Sequence, residues 1–76
     1  MLELYILDTC KYCKKIQKLL DKKSMSYEVK NVANQYNYNQ LMEKGGLDQV
    51  PFLVDTDNNV RIYNSADIID YIDKTY

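Results

Sequence analysis

Leu2, Leu4 and Ile6 alternate with Glu3, Tyr5 and Leu7 across Met1 to Leu7. That period of two predicts a strand with one wholly apolar face and a second face largely covered, hence a strand inside a sheet. From Tyr12 to Lys23 the period lengthens. Tyr12, Ile16, Leu19 and Leu20 recur at i, i+4, i+7 and i+8 with lysines mostly opposite, which predicts an amphipathic helix. Ser26 to Val32 returns to alternation, with Tyr27 and Val29 set against Glu28 and Lys30. A strand, a helix and a strand in this order permit two parallel neighbours joined by a right-handed crossover.

The middle of the chain is less regular. Tyr38, Leu41 and Met42 fall at helical spacing within Ala33 to Lys44, among Asn34, Asn37 and Asn39, which are poor helix formers. A short helix ended by Gly45-Gly46 is expected. Val50 to Val54 and Val60 to Tyr63 are apolar segments joined by Asp55-Thr56-Asp57-Asn58-Asn59, whose side chains make local turn bonds, so they predict a hairpin. Ser65 can cap a last helix, Asp67 suits its positive N-terminus, and Ile68, Ile69, Ile72 and Tyr76 share one face. The elements together predict an α/β fold in layers, a four-stranded mixed sheet covered by three helices, which is the thioredoxin-like architecture. With no linker, repeat or low-complexity stretch, residues 1–76 read as one domain.

Composition narrows the chemistry. Seventy-six residues, 46% of them apolar, leave room for one small core, and a chain of this size buries only about 60% of its unfolded surface. There is no His, which excludes a Ser-His-Asp triad, a Cys-His pair and any His metal ligand. No apolar run reaches the roughly 18 residues of a membrane span, and Met1 leads straight into the first strand without a basic leader, so a complete cytoplasmic chain is expected. The net charge of -1 conceals an asymmetry: Cys10 to Lys23 holds six lysines against Asp21, a charge of +5, and ten acids against four bases elsewhere leave -6. A solvated helix face is the ordinary meaning of such a run. The pI of about 5.2, with only Tyr12 interleaved among the lysines, speaks against nucleic acid.

Cys10 and Cys13, the only cysteines, form a Cys-x-x-Cys at the junction of the first strand and first helix. In a reducing compartment that spacing points to redox chemistry or metal. Unpaired N–H groups and the helix dipole favour an anion at Cys10, and Lys11 and Lys14 reinforce that field while Asp8 partly opposes it. Cys10 is therefore the expected nucleophile and Cys13, one turn on, the resolving thiol. Two inert core cysteines also fit the pattern. A closed zinc site would need four ligands, with only carboxylates to complete it, so no metal is expected. An iron-sulfur cluster shared by two chains through Cys10, with small thiols completing the set, is the binding-class alternative.

Cys10-Lys11-Tyr12-Cys13 after an apolar strand, Val50-Pro51 before the third strand, and Ser65-Ala66-Asp67 opening the last helix resemble a dithiol glutaredoxin over essentially the whole chain. The tail Asn64 to Asp73 is similar to those glutaredoxins whose domain resembles the N-terminal half of glutathione transferases. The resemblance implies a glutathione-dependent thiol-disulfide oxidoreductase, with glutathione as co-substrate and disulfide-containing or glutathionylated proteins as partners, acting as a monomer. It implies a cis Pro51, with Val50 pairing its backbone to the cysteinyl part of glutathione. Ser65, Ala66 and Asp67 would receive the γ-glutamyl end, and Lys11 and Tyr12 would lie beside the sulfurs. Three departures stand out: Lys11 replaces the family's common proline, Leu7 replaces a lysine that Gln40 or a lysine of the first helix would substitute for, and Tyr63-Asn64 replaces a double glycine. They leave a donor reduced by a thioredoxin reductase as the alternative within the same chemistry.

Overall fold

The computed structural model describes residues Met1–Tyr76 as β1 (Leu2–Ile6), α1 (Lys11–Lys22), β2 (Tyr27–Asn31), α2 (Gln35–Lys44), β3 (Phe52–Asp55), β4 (Val60–Tyr63) and α3 (Ser65–Thr75). All seven predicted elements are present in order. The strands lie in the order β2-β1-β3-β4. β1 runs parallel to β2 and antiparallel to β3, and β3 runs antiparallel to β4. This is the thioredoxin-like mixed sheet with its three helices.

The alternation in β1 sorts its side chains between two cores. Leu2, Leu4 and Ile6 join Leu53 of β3 on the face covered by Cys13, Ile16 and Leu20 of α1 and Ile68 and Ile72 of α3. Tyr5 points the other way and packs with Phe52, Val54 and Leu41 of α2. Each buried Leu, Ile or Phe contributes roughly 1.5–3 kcal/mol of transfer free energy, so the two layers are the main source of stability. Glu3 shares the α2 face and accepts a 2.8 Å hydrogen bond from Lys44 Nζ. Burial works to raise its carboxyl, but the bond and charge of Lys44 prevail and lower it.

Local rules explain the element ends. The asparagines that weaken an α2 interior serve its first turn instead. Asn34 Oδ1 accepts from the Asn37 N–H at 3.2 Å, and Asn37 Nδ2 donates to the Asn31 carbonyl at 3.0 Å. The helix ends at Gly45, followed by Gly46 at φ 82°, where a side chain would be strained. Gly45 has a different constraint, because an added Cβ would collide with the Tyr63 ring.

Five expectations need correction. Tyr12 is not on the core stripe of α1 but 58% exposed; Cys13, Ile16 and Leu20, at i, i+3 and i+7, face inward. Val29 is 47% exposed because β2 is an edge strand whose outer side no helix fully covers. Asp55 belongs to β3 rather than to the hairpin turn, and it is wholly buried. Tyr76 is 50% exposed; its ring meets the Tyr71 ring edge-on, with centroids 6.5 Å apart, and its hydroxyl lies 2.6 Å from Asp55 Oδ2. The cap of α3 is Asn64 rather than Ser65: Asn64, at φ 75°, accepts from the N–H groups of Ala66 at 2.9 Å and Asp67 at 3.4 Å. Asn tolerates a positive φ better than most residues, and its amide oxygen reaches these two donors.

Candidate functional site

The chain leaves β1 at Ile6 and turns into α1, with the Cys10 N–H donating to the Leu7 carbonyl at 3.1 Å. Cys10 is the N-cap of α1, and its Sγ accepts the Cys13 N–H at 3.1 Å. A sulfur in that position meets a donor that the helix itself leaves unpaired, together with the positive end of its dipole. No acidic residue lies in the first turn, and Lys11 and Lys14 are both exposed there. Cys10 is partly accessible and Cys13 is fully buried. Burial pushes the Cys13 thiol up to about 12, with the hydrogen bond and charge of Cys10 acting in the same direction. Geometry thus gives two neighbouring thiols different environments, one at a helix terminus within reach of solvent and one sealed in the core and holding its proton.

Beside them lies an open groove of about 610 Å³. Tyr12 forms the α1 side, Asp48, Gln49, Val50 and Pro51 the loop before β3, and Asn64 and Ser65 the start of α3. The Val50-Pro51 peptide is cis. Tyr63 anchors the loop wall: its hydroxyl accepts from the Leu47 N–H at 3.0 Å and donates to the Leu47 carbonyl at 2.8 Å. Its ring stacks on Phe52 with centroids 4.3 Å apart.

Of the residues singled out in the sequence, the groove brings together Tyr12, Val50, Pro51 and Ser65. Cys10 and Cys13 adjoin Tyr12 on α1. Lys11, Ala66 and Asp67 are exposed and do not line the groove. The N–H groups of Ala66 and Asp67 are already engaged by the Asn64 side chain. Leu7 is 36% exposed, and Gln40 lies on α2, away from the lining. Asp48, Gln49 and Asn64 also line the groove without having been expected as site residues, although each lies within three residues of Pro51 or Ser65. No group of three or more Cys, Asp or Glu side chains converges in a way that could hold a metal ion. No helix is long and apolar enough to cross a membrane.

Residues 4–76 match the sequence family described as glutathione S-transferase, N-terminal domain. No curated protein matches. Among solved structures, glutaredoxin 2 from Salmonella typhimurium in complex with glutathione superposes with a TM-score of 0.76 at 26% identity, over 96% of this chain and 33% of that one. This chain therefore spans about a third of that protein's length. A thioredoxin-like protein matches with a TM-score of 0.85 at 17% identity over 97% of both chains. A glutaredoxin from Archaeoglobus fulgidus matches with a TM-score of 0.71 at 22% identity, over 93% of this chain and 84% of that one.

Proposed function

Because the chain belongs to the glutathione S-transferase N-terminal domain family, we propose that it is a glutathione-dependent thiol-disulfide oxidoreductase of the dithiol glutaredoxin type. The observation that carries the reading is the unequal pair of thiols: Cys10 caps α1 and is partly accessible, whereas Cys13 is buried with its thiol pushed up to about 12. The glutathione bound to the Salmonella glutaredoxin supports the same ligand for the adjoining groove.

The Cys10 thiolate attacks the glutathione sulfur of a mixed disulfide. A Cys10-glutathione bond forms, and the substrate thiolate leaves and takes a proton from solvent. Cys13 keeps its proton through this step. Once the Cys10 sulfur is bonded and uncharged, one of the influences raising the Cys13 thiol is gone and burial remains. Cys13 then gives up its proton and attacks the Cys10 sulfur, forming the Cys10-Cys13 disulfide and releasing glutathione. A first glutathione thiolate reopens this disulfide at Cys10, and a second removes the first as oxidised glutathione. Two glutathiones thus supply the two electrons, and both protein thiols return.

In the groove, the backbone N–H and carbonyl of Val50 would pair with the cysteinyl part of glutathione, next to Pro51. The Ser65 hydroxyl and the Asp67 carboxylate would meet the γ-glutamyl end, with Ala66 between them, and Tyr12 and Lys11 would flank the sulfurs. The proposed setting is a cytoplasmic monomer, residues 1–76 acting as one domain on disulfide-containing or glutathionylated proteins.

The test is reduction of a small glutathione mixed disulfide coupled to glutathione reductase. The wild type should turn over, Cys10→Ser should lose turnover entirely, and Cys13→Ser should retain part of it, because glutathione itself can resolve the Cys10 adduct. A wild type without turnover would refute the glutathione-dependent reading and favour reduction by a thioredoxin reductase.

A further inference from the structure

Lys11, Lys14, Lys15, Lys18 and Lys22 of α1 are all exposed. Lys11, Lys15, Lys18 and Lys22 stand at i, i+4, i+7 and i+11, which makes one stripe along the helix opposite the buried Cys13, Ile16 and Leu20. Lys14 flanks it. At ~1.5 Å per residue the stripe is about 16 Å long, and it begins at the residue after Cys10. None of these five lysines forms an ion pair; Lys23, just beyond the helix, pairs with Asp73 at 3.5 Å. Lys15 Nζ sits 5.8 Å from the centroid of the Tyr12 ring, so positive charge continues to the edge of the groove.

Like charges three and four residues apart repel, and lysines in the first turn oppose the helix dipole. The stripe therefore works against α1, and although Asp21 lies among the lysines and the residues outside Cys10 to Lys23 carry -6, no carboxylate of this chain forms an ion pair with it.

We propose that the α1 lysine stripe is the docking surface for an acidic region flanking the disulfide of a protein substrate, and that it selects acidic substrates over basic ones. The proposal rests on reading Cys10 as the exchanging thiol. A partner whose disulfide reaches Cys10 lies beside the first turn of α1, where the stripe begins, so an acidic flank on that side can extend along the lysines. A membrane fits less well, because a helix that lies in a bilayer interface needs a free apolar face, and the apolar face of α1 is packed in the core. Nucleic acid fits less well because the chain as a whole is acidic.

The test uses two fluorescent peptides of equal length, one rich in Glu and one rich in Lys, each carrying a central cysteine joined to glutathione. The wild type should reduce the acidic peptide with a kcat/KM about tenfold or more above that for the basic one at low salt. The ratio should collapse as added salt shortens the Debye length to about 10 Å and below. Lys15→Glu/Lys18→Glu/Lys22→Glu should reverse the preference, and Lys18→Glu/Lys22→Glu, which leaves Lys15 beside Tyr12, should weaken it while leaving turnover of the mixed disulfide of glutathione with a small uncharged thiol unchanged. Equal rates on the two peptides, or a preference untouched by the triple substitution, would overturn the proposal.

A second measurement needs no thiol chemistry: fluorescence anisotropy of the same peptides with serine in place of cysteine, titrated with wild type and triple variant. Tighter, salt-sensitive binding of the acidic peptide by the wild type alone supports the stripe even if the glutathione assay fails. Indifference to peptide charge refutes it even if that assay succeeds. Stronger retention on vesicles containing phosphatidylserine than on the acidic peptide would also overturn it, in favour of a lipid surface.

Discussion

β3 and α3 each have two ends, and the two ends of the molecule they define handle polar groups in opposite ways. At one end, Pro51 before β3 and Asn64-Ser65 at the start of α3 border an open groove next to Cys10. At the other, Asp55 closes β3 and Tyr71 and Tyr76 close α3. There the Asp55 carboxylate is fully buried and accepts from both tyrosine hydroxyls at 2.6 Å and from Asn58 Nδ2 at 2.8 Å. Burial alone would raise that carboxyl, but the bonds from Tyr71, Tyr76 and Asn58 outweigh it and hold the group at about 2. Burial, helped by the bond to the carboxylate, raises Tyr71, and that bond is the main cause that raises Tyr76, to about 12. One end spends its polar groups on holding α3 to the sheet, which leaves the other free to present a thiol and a groove to solvent. Stability and reactivity are thus separated along the same two elements.

The largest effect is expected at Asp55. Asp55→Ala leaves two tyrosine hydroxyls without their acceptor and should cost about 3 kcal/mol in urea denaturation. The fraction that remains folded should still show the native Cys10 alkylation rate. A loss of both together would mean that the two ends are not separate.

Acid should produce the next largest effect. The folded pKa of Asp55 lies below the ordinary value of 3.8, so its contribution is complete above that value and is lost as pH falls through about 2. The difference corresponds to about 2 kcal/mol. Urea midpoints measured between pH 5 and pH 2 should fall more steeply for the wild type than for Asp55→Asn.

Tyr71→Phe removes one bond to a charged acceptor and should cost about 1.5–2 kcal/mol; Tyr76→Phe, at a more exposed residue, should cost less. The smallest effect belongs to the groove end. Asn64→Ala removes the α3 cap at a positive φ and should cost about 1 kcal/mol. It should also raise KM for glutathione while leaving the alkylation rate of Cys10 unchanged.

What could be read from the sequence, and what could not, divides along the same line. Leu2, Leu4 and Ile6, or Ile16 and Leu20, declare their burial through local periodicity, and the order of elements then admits few topologies. Cys10, Cys13 and Pro51 are visible because their chemistry is distinctive. Asp55 was not legible as a buried acceptor, because an Asp followed by Thr-Asp-Asn-Asn has every local mark of a turn. Its partners lie 16 and 21 residues away and meet it only once α3 has packed. Asn64 and Ser65 are adjacent and are both good caps, so only the backbone at Asn64 decides between them. Tyr12 and Cys13 both suit an apolar stripe until the helix start is known to one residue. Asp48 and Gln49 carry no periodic signal and enter the groove through the loop that Tyr63 anchors at Leu47.

Cys10 and Cys13, three residues apart, are chemically unequal because one caps a helix at the open end and the other lies in the core. Timed alkylation with iodoacetamide at neutral pH, read by mass spectrometry of the two cysteines in the same molecules, tests it directly. Cys10 should be modified while Cys13 stays protected until denaturant unfolds the chain. Equal rates for the two thiols in the folded protein would contradict it.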